Sequence, residues 1–161
     1  RKELAEQGDE SEKKKLWISE YNLSKAYYLA RDFLNAANIL NNAWVNYENY
    51  GEKNVSNESS LICMQGRIKI ARQDWDGGIK DLEDAIDLRS RGRGKDSPWT
   101  GQIANWLAEA YEEQGMYEKA LENANIRKRS LENNQSYNNE RKLFEVTEMI
   151  ERIRRKMADE N

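Results

Sequence analysis

Three features of this chain invite a chemical reading: one cysteine, several close-set carboxylates and a run of cations. Cys63 is the single cysteine, and there is no histidine. A thiolate nucleophile needs a base beside it, and losing histidine removes both the commonest base and the commonest metal ligand. Cys63 therefore reads as a small side chain packed inside a helix pair. The carboxylates at Glu112 and Glu113, at Asp81, Glu83 and Asp84, and at Glu145 and Glu148 often have Lys or Arg within one helical turn. That is the pattern of a solvated helix face rather than a catalytic pair. None has the alternating acids and central glycine of a calcium loop. The segment RSRGRGKDS, residues 89–97, suggests a phosphate loop, but Asp96 follows Gly94-Lys95 where Ser or Thr is needed, and Arg89 stands where the first glycine should be. Arg89 and Arg91 instead suit the negative end of a helix, with Gly92 ending it. A nucleic-acid contact through Arg89, Arg91, Arg93 and Lys95 would need aromatic platforms or a basic groove beside it. No catalytic residue, cofactor or metal is expected, and the chain reads as non-enzymatic.

The elements that carry these residues follow from composition and period. Charged residues make up 34% of the chain, yet it holds five Trp and eight Tyr, which a disordered chain would lack. A mean hydropathy of −1.05 fits elongated helical structure with much polar surface. Pro98 is the only proline among 161 residues, a length that supports one domain with a core. The net charge of −3 gives no global attraction to nucleic acid or to an acidic membrane. No apolar run approaches the ~18–20 residues of a membrane span. The chain opens on the charged stretch RKELAEQGDESEKKK, with no signal peptide and no initiator Met. We read a segment of a longer protein that is intracellular and cytoplasmic, with the lone cysteine fitting a reducing compartment.

A repeat sets the register. Phe33, Trp75 and Tyr117 lie 42 residues apart, and the same offset carries Ala36 to Gly78 to Ala120 and Ser24 to Gly66 to Ala108. It also carries Leu40 to Leu82 to Ala124. Helical periodicity precedes each aromatic and follows it, with the short turns ARD, RQD and QGM between. The unit is a helix hairpin, present three times. Its small residues sit where two helices cross closely, and the aromatic fills the space beside the crossing.

The segment ANWLAEAYEEQGMYEKALENA carries Leu107, Ala108, Tyr111, Gly115, Tyr117 and Ala120 at the spacing of the tetratricopeptide repeat, which it resembles. YNLSKAYYLARDFLNAANIL matches through Leu23, Ser24, Tyr27, Phe33, Ala36 and Leu40. MQGRIKIARQDWDGGIKDL keeps Gly66, Trp75, Gly78 and Leu82 but has Lys69 at the tyrosine position. The family's closing proline is absent, and the period exceeds the usual 34 residues. In that respect the chain is similar to the 42-residue repeats of kinesin light chains. The resemblance implies an all-α solenoid of three hairpins, about 16–53, 54–96 and 97–132. Residues 1–15 read as a charged lead-in or as the end of a preceding repeat. Residues 133–161 hold a linker and a capping helix whose stripe is Phe144, Val146, Met149, Ile150, Ile153 and Met157.

The resemblance also implies a groove lined by the first helix of each hairpin. Transferred by the 42-residue offset, its residues are Tyr21, Asn22, Lys25 and Tyr28; Cys63, Met64, Arg67 and Ile70; and Asn105, Trp106, Glu109 and Glu112. Asn22 and Asn105 stand where kinesin light chains carry an Asn pair that can hydrogen-bond a peptide backbone. Tyr21, Tyr28, Met64 and Trp106 would serve as anchors. Lys25, Arg67 and Glu109 share one position and change sign along the stack, so the groove is expected to be basic first and acidic last. The register of the second unit has a rival. Leu61, Met64 and Ile68 form the better apolar stripe there, and a one-residue rotation would present Gly66 and Lys69 in place of Arg67. The pairing of Gly66 with Gly78 favours the first register.

The resulting expectation is a protein-binding module, scaffold or adaptor, that takes a peptide or helix of a partner protein. It needs no small-molecule substrate and does not insert in a membrane. The alternatives are a structural solenoid segment of a larger assembly and a helical module that contacts RNA.

Overall fold

The structure is a computed structural model that describes residues 2–134 and 139–159, with side chains from residue 12 onward. The described residues form seven helices and no strand: α1 (Lys2–Leu29), α2 (Phe33–Tyr50), α3 (Val55–Ala71), α4 (Trp75–Arg93), α5 (Pro98–Glu113), α6 (Tyr117–Asn133) and α7 (Asn139–Asp159). Consecutive helices pair as the hairpins α1/α2, α3/α4 and α5/α6. The second helix of each hairpin packs on the first helix of the next, and α7 stacks on α6 as the cap. The architecture is an all-α solenoid. Residues 2–15 are not a separate element but the first half of α1.

The crossings lie where the small residues stand. Ser24 donates its hydroxyl to the Ala36 carbonyl at 2.7 Å. A Cβ on Gly66 would lie 2.7 Å from the Gly78 carbonyl oxygen, so the two backbones are nearly in contact. Ala108 and Ala120 are fully buried. The second hairpin therefore keeps the same register as its neighbours. Its Lys69, in place of a tyrosine, reaches Asp81 on α4 at 2.8 Å.

Each hairpin turns in the same way. Arg31, Gln73 and Gly115, spaced by the repeat period, adopt φ of 62°, 69° and 69°. The following amide bonds back five residues, from Asp32 to Tyr27, Asp74 to Lys69 and Met116 to Tyr111, at 2.9–3.0 Å. This is the Schellman closure of a helix C-terminus. The next helix starts at once. Asp32 caps α2 by accepting the Asn35 amide, and Asp74 caps α4 by accepting the Gly77 amide. Met116, at the matching place before α6, offers no side-chain cap.

The core divides into two clusters. One joins Trp17 of α1 and Leu40 and Tyr47 of α2 to Leu61, Met64 and Ile68 of α3. The other runs from Cys63 of α3 through α4, α5 and α6 to Val146, Met149, Ile150 and Ile153 of α7. Two expectations need correction. Phe144 is 66% exposed and is not part of the α7 stripe. Gly92 does not end α4, which continues to Arg93 and closes at Gly94 with φ 87°.

Candidate functional site

The first helices α1, α3 and α5 meet side by side, and their junction is built around Arg67. The Arg67 guanidinium lies over the Tyr28 ring at 4.5 Å and over the Trp106 ring at 4.1 Å. A planar cation between two aromatic faces gains electrostatic and stacking energy from both, without needing a carboxylate. Tyr28 is braced in turn by Phe33 at 5.6 Å. Trp106 rests on the larger core cluster. Arg67, Tyr28 and Trp106 line a cleft of about 130 Å³ together with Glu109 and Glu113 of α5 and Trp75 of α4. Three residues placed by the 42-residue offset are thus brought into one contact set.

The other candidate residues are distributed unevenly. Asn22 and Lys25 are exposed on α1, while Tyr21 is half-buried against the first core cluster, and burial raises its hydroxyl pKa. Asn105 donates its amide to Glu109 at 2.7 Å, leaving its carbonyl oxygen to accept elsewhere. The walls around Glu109 raise its carboxyl above the ordinary range, although part of the side chain meets solvent. Met64 is only 1% exposed and fills the core between α1 and α2, so it offers no anchor. Cys63 is buried as well, and desolvation pushes its thiol up to about 12, which removes it as a nucleophile at neutral pH.

Glu112 also departs from expectation. It is 6% exposed and accepts paired bonds from Arg152 Nε and Nη2, each at 2.7 Å, and one from Lys156 Nζ at 2.9 Å. These bonds, Arg152's first, pull its carboxyl down to about 2. Its charge is spent on holding α7 rather than offered to a partner. The expected run of charge from basic to acidic therefore stops at Glu109 and Glu113, and the cations of α7 follow. Register alone could not show this, because Arg152 and Lys156 lie 40 and 44 residues away from Glu112 in sequence. A second cleft, between α5 and α7, gathers Asn105, Glu109, Arg127, Lys142 and Glu145. The sequence reading did not include it, although the amphipathic stripe of α7 placed that helix on the stack.

Among the described residues no group of His, Cys, Asp or Glu is arranged to hold a metal ion, and no helix is long and apolar enough to cross a membrane. A family model described as tetratricopeptide repeat matches residues 59–125, from α3 to α6. No curated protein matches the chain.

Proposed function

Since this chain is a member of the tetratricopeptide-repeat family, a family of protein-interaction modules, we propose that it binds an extended or helical segment of a partner protein along α1, α3 and α5, as a non-catalytic scaffold or adaptor. The observation that supports this most is Arg67. It is held between Tyr28 and Trp106 at the edge of an open cleft, with no carboxylate paired to it among the described residues. A side chain fixed on two faces has little rotamer entropy left to lose, so it is ready to bond an acidic group or a carbonyl of a partner. Lys25 extends the positive charge along α1, Glu109 and Glu113 supply negative charge on α5, and Asn22 and Asn105 can bond a backbone regardless of its sequence. The matching segment carries an acidic residue opposite Lys25 and Arg67 and a basic residue opposite Glu109. Charge reversal tests this. Lys25→Glu should weaken binding of such a segment at low salt, and an unchanged affinity would count against the reading.

One further observation favours a structural role beside this one. Leu16 and Leu23 of α1 are 43% and 46% exposed, although the equivalent Thr100 and Leu107 are buried against the preceding hairpin. An added helix could cover them, as in a solenoid segment of a larger assembly. Leu16→Lys with Leu23→Lys would then disrupt assembly while leaving peptide binding unchanged.

A further inference from the structure

Arg89 breaks the pattern of its own repeat. One period to either side stand Tyr47 and Leu131, both buried members of the core. Arg89 occupies the same place on α4 and is itself only 6% exposed. A guanidinium removed from water calls for an anion, yet its hydrogen-bond partners are neutral. Nη2 donates to the Ser56 carbonyl at 3.0 Å and to the Ser60 hydroxyl at 2.9 Å, and Nε has no partner. Among the described residues no carboxylate pairs with it, and Arg93 adds a second positive charge beside it.

The cation faces a large space. Arg89, Arg93 and Lys95 line a cavity of about 940 Å³, where the end of α4 meets the first turns of α3 and α5. The one acid in its lining, Asp96, lies 3.6 Å from Arg129. Arg91 belongs to a different surface, where it pairs with Asp87. The first turns of α3 and α5 add the positive ends of two helix dipoles to the lining, where Ser56, Ser60 and Ser97 also stand. Trp99 stands at the edge, 65% exposed, with the Arg89 guanidinium 5.8 Å from its ring centre.

We propose that this cavity binds a phosphomonoester. Three cations line one cavity where a carboxylate could neutralise only one, whereas a phosphate dianion offers more charge and three acceptor oxygens. The group could be carried on a phosphorylated side chain of a partner or on a free mononucleotide. Both present the same chemistry, and Trp99 is positioned to stack on a base. The site uses none of the residues assigned to peptide binding, so the two readings stand or fall separately.

The test is an NMR titration of the whole 161-residue chain with inorganic phosphate, phosphoserine and AMP, against sodium chloride at equal ionic strength. Saturable shifts of the Ser97 and Thr100 amides and of the Trp99 indole are expected with the phosphates and not with chloride. Arg89→Leu installs the residue that the third hairpin already carries there. It should keep the fold and weaken phosphate binding by about tenfold or more. Lys95→Ala, at an exposed position, gives the same readout should Arg89→Leu fail to fold. Tighter binding of phosphoserine than of phosphate assigns the ligand to a modified partner. Tighter binding of AMP, lost in Trp99→Ala, assigns it to a nucleotide. Equal shifts in wild type and both variants, or shifts that chloride reproduces, would overturn the proposal.

Discussion

The three hairpin turns use one backbone geometry with different side chains, so each can be improved by copying another. Arg31 and Gln73 hold a left-handed conformation that only Gly115 is chemically suited to hold. Conversely, Asp32 and Asp74 cap their helices, while Met116 cannot. An L-residue at positive φ costs roughly 1–2 kcal/mol, and glycine gives back part of that relief through its greater freedom when unfolded. Gln73→Gly should therefore stabilise by about 0.5–1 kcal/mol. Met116→Asp supplies the missing acceptor for the first-turn amides of α6 and should add about 1 kcal/mol. The two sites lie in separate turns and should add to about 1.5–2 kcal/mol, or roughly 3–8 °C in midpoint for a chain of this size. The reverse change is clean, because a Cβ on Gly115 would meet nothing within 4 Å. Gly115→Ala thus reports backbone strain alone and should cost about 1 kcal/mol. The assay is thermal and urea unfolding followed by circular dichroism. If Gln73→Gly lowered the midpoint while Gly115→Ala left it unmoved, the turn argument would be refuted.

Two further outcomes follow from the packing and the charges. Glu112 has its carboxyl pulled down to about 2, so its contribution is present above the ordinary carboxylate range and disappears as pH falls toward 2. The shift allows at most about 3 kcal/mol, which half-exposed Arg152 and Lys156 reduce to about 1–2 kcal/mol. Glu112→Gln should show that deficit at pH 7 and approach wild type near pH 2–3 in urea unfolding; a deficit independent of pH would contradict the assignment. Gly66→Ala places a methyl 2.7 Å from the Gly78 carbonyl oxygen. Overpacking should outweigh the gain of about 1 kcal/mol in helix propensity, leaving a net loss of about 1–2 kcal/mol by the same assay.

Most of the scaffold could be read from the amino-acid order because small residues have few reasons to recur at 42. Ser24, Gly66 and Ala108 against Ala36, Gly78 and Ala120 define three crossings, and the crossings define the hairpins. Gly115 marked one turn, whereas Arg31 and Gln73 carry no chemical sign of the same conformation. The site was less legible. Offset arithmetic brought Tyr28, Arg67 and Trp106 to one place because the relation of first helix to first helix repeats. It failed for Met64, since an apolar side chain goes into the core whenever α3 can turn it between α1 and α2. It failed for Glu112 because the deciding cations come from α7. In sequence Arg89 reads as a charge suited to the negative end of a helix, and its buried setting emerges only when its place is compared with Tyr47 and Leu131 in the folded chain.

The central claim is that partner segments bind along α1, α3 and α5, and it can be tested without knowing the natural partner. Peptides of about 15 residues would be selected from a random library on the wild-type protein and their affinities measured by calorimetry on variants of known fold. Arg67→Ala and Trp106→Ala should weaken the selected peptides by about tenfold or more, while Leu34→Ala and Val45→Ala, at exposed positions on α2, should leave them unchanged. Peptides that bind the Arg67 and Trp106 variants as tightly as wild type, yet lose affinity for the α2 variants, would contradict it.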